Sequence, residues 1–157
     1  MKWAALIAWL VTAGGGFVLL ATWLARGGMR QGGGGARIRP PLILSHFLLA
    51  ATGLVLWIIY IATDSDALAW IAFVILSVVA ALGWAMFAIW WQQRRRPAAA
   101  TAGGPGAPAA GNPGPPEPAP SMAAEQHFPV SIVALHGVLA VTTVVLVFLT
   151  AIGVGGS

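Results

Sequence analysis

Apolar residues gather in four long blocks along this chain, separated by three connections of quite different composition. The blocks run Trp3–Ala25, Pro41–Thr63, Ala67–Trp91 and Pro129–Ile152, and none contains Asp, Glu, Lys or Arg. Each exceeds the ~20 residues with which an α-helix crosses the hydrocarbon of a bilayer. Because lipid offers no partner to a bare backbone, segments of this kind span as helices. The pattern therefore predicts an all-α protein, a four-helix transmembrane bundle. The first block has Lys2 before it and "VTA" within it, two features of a signal peptide. Its apolar run, however, continues through "FVLLATWL" to Arg26, too long for the core of a cleaved signal, so a retained helix is expected.

Composition supports the same class. Of 157 residues, 59% are hydrophobic and 8% charged, whereas a soluble domain carries roughly a quarter charged residues. The net charge of +4 does not point to nucleic acid, because the basic residues flank the spans. Arg26, Arg30, Arg37 and Arg39 follow the first span and Arg94, Arg95 and Arg96 the third, while the turn after the second is the acidic "TDSD". Arginine-rich connections face the cytoplasm, which predicts a multi-pass membrane protein with both termini outside. Trp3 and Trp70 fall at outer ends and Trp23, Trp90 and Trp91 at inner ends, where indoles favour the headgroup level; Trp9, Trp57 and Trp84 sit deeper, as packing residues. Asp64 and Asp66 read as turn and cap residues, and His127, with Glu125 near it, as solvated.

The domain division follows. Residues 1–96 hold spans one to three, and residues 127–157 hold the fourth span and a short tail. Between them residues 97–126, nearly all Pro, Ala and Gly, cannot bury a core and are expected to stay disordered. The glycine-rich first connection, "RGGMRQGGGGARIRPP", is expected to be flexible and to end with prolines at a helix start.

Chemistry is sparse. The absence of cysteine excludes disulfides, iron–sulfur clusters and thiolate metal sites. No phosphate-binding loop, nucleophile–base pair or acidic cluster is visible. What stands out is a histidine inside each of two apolar spans: "SHFLLAATGLVL" around His46 and "LHGVLAVTTVVL" around His136 share H-x-x-L-A-x-T-x-x-V-L. Both follow helix-starting prolines by similar intervals and lie on spans predicted to run the same way, so both rings fall about 8–10 Å inside the cytoplasmic boundary. The match suggests a duplicated helical hairpin, a parallel internal repeat. Small residues near each ring, and Gly14, Gly15, Gly16 and Gly83 on the other spans, leave room for close approach, although the glycines at 14–16 count as nearer mid-membrane than the rings.

Polar groups within the membrane face the bundle interior and mark function by default. Three readings compete: one b-type haem held between His46 and His136, as axial imidazoles hold iron; a proton or metal conduit; and interhelical hydrogen bonds alone. Transition metals want more ligands than two, which leaves the haem and the packing readings as the main pair. Arg37 and Arg39, just below His46, are candidates to pair with haem carboxylates. Met86 is at a similar depth and reads as a gap-filler.

Four spans with histidines on two of them resemble the small b-type cytochromes of membrane electron transfer. The stretches quoted above are also similar to small four-span membrane proteins of high-GC bacteria. The resemblance implies a haem-binding electron-transfer or accessory subunit with His46 and His136 as ligands, working with a redox or membrane-complex partner. The chain departs from di-haem cytochromes in lacking a second intramembrane histidine pair, so one haem would exchange electrons near one face. The alternative is a cofactor-free accessory subunit of a larger membrane complex.

Overall fold

The computed structural model describes residues 1–30, 38–95 and 123–154, and these form four long helices: α1 Lys2–Ala25, α2 Pro40–Thr63, α3 Asp66–Arg95 and α4 Val130–Ala151. Each carries an apolar window long enough to span a bilayer. Large side chains such as Phe17, Leu48, Trp84 and Val138 stand more than 60% exposed on the outer surface, an arrangement that water would penalise and lipid accepts. The protein is an integral membrane protein built as a four-helix bundle. Outward-facing hydroxyls of Thr22, Thr52, Thr63 and Thr142 return to the carbonyl four residues back on their own helix, so none is left bare in lipid.

Helix ends match the sequence expectation to within a residue, except that α3 continues past Trp91 to Arg95. Hydropathy ends there but helix propensity does not, since Gln and Arg are good helix formers. Asp64 caps α2 in the left-handed region and pairs with Lys2, and Asp66 opens α3, in keeping with their reading as turn and cap residues. The first glycines of the α1–α2 connection are a cap: Gly27, at φ 77°, and Gly28 donate to the carbonyls of Leu24 and Trp23, closing α1 with a Schellman turn. The rest of that connection, residues 31–37, lies outside the described residues, as does 97–122 of the Pro/Ala/Gly segment.

Around the bundle the order is α1, α4, α3, α2, with α2 close against α3 and α1 against α4. The histidine-bearing helices α2 and α4 are thus diagonal. Trp9, Trp57, Tyr60, Ala5, Ala69, Ala72, Leu76 and Val147 form the core of the Lys2 end. At the opposite, arginine end, Trp23, Trp90 and Ile38 are buried together with a short 3₁₀ turn, Ala124–His127. This turn corrects the expectation for the last residues of the Pro/Ala/Gly segment. Glu125 is fully buried, its Oε1 accepting from the Ile38 backbone N–H (3.3 Å) and the Gln93 amide (3.1 Å), because the turn packs on α1 and α3 rather than trailing in solvent.

Three tryptophans also differ from expectation. Trp23 and Trp90 are 0% and 3% exposed, so they fill the core of the arginine end instead of sitting at headgroup level, whereas Trp84 is 62% exposed and faces outward. Hydropathy gives an indole's depth along a helix, but only the packing partner decides which way it turns.

A candidate site where two histidines meet

His46 and His136 come together across the bundle diagonal, with ring centroids 6.5 Å apart and planes inclined at 62°. Each ring is fixed by a neighbouring helix. His46 Nδ1 lies 3.0 Å from the carbonyl oxygen of Val79 on α3, and His136 Nδ1 lies 3.0 Å from that of Thr12 on α1. A carbonyl only accepts, so each Nδ1 carries the proton and each Nε2, in the neutral ring, keeps its lone pair. Neither Nε2 has a hydrogen-bond partner among the described residues.

Glycines make this approach possible. A Cβ on Gly16 would stand 2.9 Å from His136 Cε1, and one on Gly83 would stand 3.3 Å from His46 Cε1. Gly15 also borders His136, whereas a Cβ on Gly14 would meet nothing within 4 Å, so Gly15 and Gly16 belong to the ring layer. Counting depth along the axis placed them deeper because it ignored the reach of an imidazole across the bundle.

The two halves repeat one another in register. Trp3 and Trp70, Ala5 and Ala72, Thr12 and Val79, Gly16 and Gly83, and Trp23 and Trp90 are all separated by the same number of residues. On α2 and α4 a second constant separation relates His46 to His136, Gly53 to Thr143 and Trp57 to Val147. The histidine bonds obey it: α2 bonds α3 as α4 bonds α1. One break in the symmetry lies a turn or two above the rings, toward the Lys2 end. There the Thr12 and Thr143 hydroxyls are 3.1 Å apart and buried, while in the other half Gly53 lies against Cζ2 and Cη2 of Trp9. The repeat in the first and third spans was legible in the sequence as the shared spacing of Trp, Gly and Trp, a signal that the histidine alignment did not use.

The donor set can be tested against a metal-bearing cofactor. Metal–nitrogen bonds near 2 Å, with Nε2 about 1 Å from its ring centre, put two facing imidazoles at a centroid separation of about 6–6.5 Å. The observed separation is of that size. Among the described residues no third His, Cys, Asp or Glu joins the pair, so two imidazoles suffice only for a metal that brings its remaining ligands, as the iron of haem does. Donation of Nδ1–H to a carbonyl is also the bond that orients a ligating histidine and fixes its tautomer. The residues fit such a group.

The other candidates are more dispersed. Arg39 precedes α2 and lines an open cleft with Pro41, Leu42, Ser45 and Ile89, beside the start of the histidine helix; Arg37 lies outside the described residues. Met86 is half-buried one turn beyond Gly83. His127 is partly buried, with Nδ1 lacking a hydrogen-bond partner among the described residues, so it is less solvated than expected. Comparison of the chain with known protein families, curated proteins and solved structures gave no match.

Proposed function

We propose that this protein is an electron-transfer or accessory subunit of a bacterial plasma membrane that holds one b-type haem between His46 and His136, with its arginine end in the cytoplasm and both termini outside. One observation carries the reading: two diagonal helices present imidazoles at 6.5 Å, each with Nδ1 engaged by a carbonyl and Nε2 left for a ligand. Bound haem supplies one-electron redox chemistry. The chain's own contribution is to fix both rings, through Thr12 and Val79, and to exclude water from the ligand bonds. Arg37 and Arg39 are the candidates for pairing with its carboxylates. A single haem nearer one face does not carry an electron across the bilayer alone, so a redox partner is part of the proposal.

A second reading has its own support. The two Nδ1 bonds already tie α2 to α3 and α4 to α1, which is sufficient reason for two intramembrane histidines in a cofactor-free subunit of a larger complex.

Visible spectra of the detergent-purified protein, produced with ample haem, separate the two. The haem reading expects a sharp Soret band and resolved α and β bands on dithionite reduction. Either His46→Ala or His136→Ala abolishes the six-coordinate spectrum. A colourless protein that takes up no added haem leaves the packing subunit, and six-coordinate spectra in both single variants place the ligands elsewhere.

A further inference from the structure

A second matched pair lies at the arginine end of the bundle. Trp23 and Trp90 are both buried, and neither indole N–H has an acceptor among the described residues. Trp57, equally buried, gives its N–H to the Lys2 carbonyl at 3.3 Å. A buried donor without an acceptor is penalised, and here the penalty falls twice at equivalent positions of the repeat.

Their placement offers a common reason. Thr12, Gly16 and Trp23 fall on one face of α1, and Val79, Gly83 and Trp90 fall on the same face of α3. Thr12 and Val79 accept the histidine bonds, and Gly16 and Gly83 lie against the rings. Each indole is therefore about 10 Å further along its helix toward the arginine end than the glycine beside its histidine, seven residues on. Arg26, Arg30, Arg39, Arg94 and Arg95 surround that end, against Glu125 as its one described carboxylate, so its field favours an anionic group.

We infer that Trp23 and Trp90 are a matched pair of hydrogen-bond donors for the two carboxylates on one edge of the haem held by His46 and His136. The inference rests on the haem reading above and adds to it a pair of residues and a fixed orientation. The bundle has an approximate twofold relation that exchanges α1 with α3, α2 with α4 and His46 with His136. Haem has one too: an axis in its plane, through the iron and between the two propionates. When these axes coincide, exchanging the imidazoles also exchanges the propionates, and each propionate faces an equivalent donor. Trp23 and Trp90 are equivalent in the repeat, the first packed on Gly28 and the second under the Arg94 guanidinium. Arg39 is not paired in this way, since its counterpart before α4 is Pro129. A buried N–H bonded to a carboxylate, in a layer that water reaches poorly, is a strong and directional contact.

The test uses the full chain, purified in detergent without haem and labelled with ¹⁵N at its indole nitrogens. It is titrated with haem and with haem dimethyl ester, in which both propionates are blocked, and spectra are recorded in the reduced, diamagnetic state. Two indole N–H resonances, assigned by their loss in Trp23→Phe and Trp90→Phe, are expected to move clearly further downfield with haem than with the ester, whose uncharged carbonyls are weaker acceptors. Each Trp→Phe change is expected to reduce the preference for haem over its ester by about tenfold, the scale of one hydrogen bond to a charged group. Indole resonances that respond alike to both forms overturn the inference, as does an undiminished preference in both variants. If a variant fails to fold, the wild-type comparison decides: no indole signal separating the two forms overturns the inference. If both forms bind with bis-histidine spectra and equal affinity, this inference alone fails; if neither form binds, the haem reading fails and this one with it.

Discussion

Gly16 and His136 are in contact so close that a methyl group on the glycine would lie 2.9 Å from the ring carbon Cε1. The glycine is what allows His136 to reach the Thr12 carbonyl on α1 while its ring lies 6.5 Å from that of His46. Gly83 plays the same part for His46, with slightly more room at 3.3 Å.

Gly16→Ala is therefore expected to destabilise the bundle or displace His136, at a cost of about 1–3 kcal/mol, the range for overpacking a fitted core. Gly83→Ala should cost less, since its neighbour needs to yield by only a few tenths of an ångström. Thermal unfolding in detergent compares them. Equal behaviour of the two variants, or a Gly16→Ala protein as stable as the parent, contradicts the contact.

The Thr12–Thr143 hydroxyl pair, 3.1 Å apart and buried, joins α1 to α4 one layer from the rings. A double-mutant cycle of Thr12→Val and Thr143→Val should give a coupling of about 0.6 kcal/mol, and no more than about 2, as for interhelical hydrogen bonds in other membrane proteins. Their two protons also serve the Ala8 and Leu139 carbonyls of their own helices, so one proton is shared between an intrahelical acceptor and the partner hydroxyl, which keeps the coupling modest. Strict additivity would mean that the two hydroxyls do not interact.

Gly27 and Gly28 are adjacent but constrained for different reasons. Gly27 sits at φ 77°, and alanine there pays about 1 kcal/mol for a left-handed conformation. At Gly28 a Cβ would fall inside the Trp23 ring, 2.1 Å from its nearest atom, so Gly28→Ala should be the more damaging, by roughly 2 kcal/mol or more. Denaturation curves of the two variants in one detergent measure the order, and the reverse order refutes the packing of Trp23 on the cap.

Glu125→Ala removes the acceptor shared by the Ile38 N–H and the Gln93 amide. Leaving buried donors unmet costs about 1–3 kcal/mol, so the turn Ala124–His127 should detach and itself become more sensitive to protease. Glu125→Gln keeps an acceptor oxygen and should protect the turn far better. Equal cleavage rates for the parent and Glu125→Ala would show that the carboxylate does not hold this segment.

Orientation has a simple readout, because the chain contains no cysteine. A membrane-impermeant thiol reagent applied to intact cells is expected to label Ser65→Cys, in the acidic turn, and to spare Gln92→Cys until the membrane is opened. The opposite labelling reverses the assignment of the arginine end to the cytoplasm.

The sequence by itself determined the class, the four helices and all of their ends but the last turn of α3. These depend on runs of apolar residues and on prolines, glycines and charges that act within a turn or two. It also singled out His46 and His136, since an ionisable ring in an uncharged apolar span is conspicuous in one dimension. What only the tertiary structure decided is which groups face which. The diagonal placement of α2 and α4 brings the rings to 6.5 Å. The carbonyls of Thr12 and Val79 become partners although a backbone oxygen leaves no mark on composition. Glu125, at the end of the segment expected to stay disordered, is sealed under the bundle because its acceptor role lies with Ile38 and Gln93, distant in sequence. Trp23 and Trp90 turn inward and Trp84 outward for the same reason: hydropathy fixes depth along a helix, whereas the side a residue presents is set by the neighbour that packs against it.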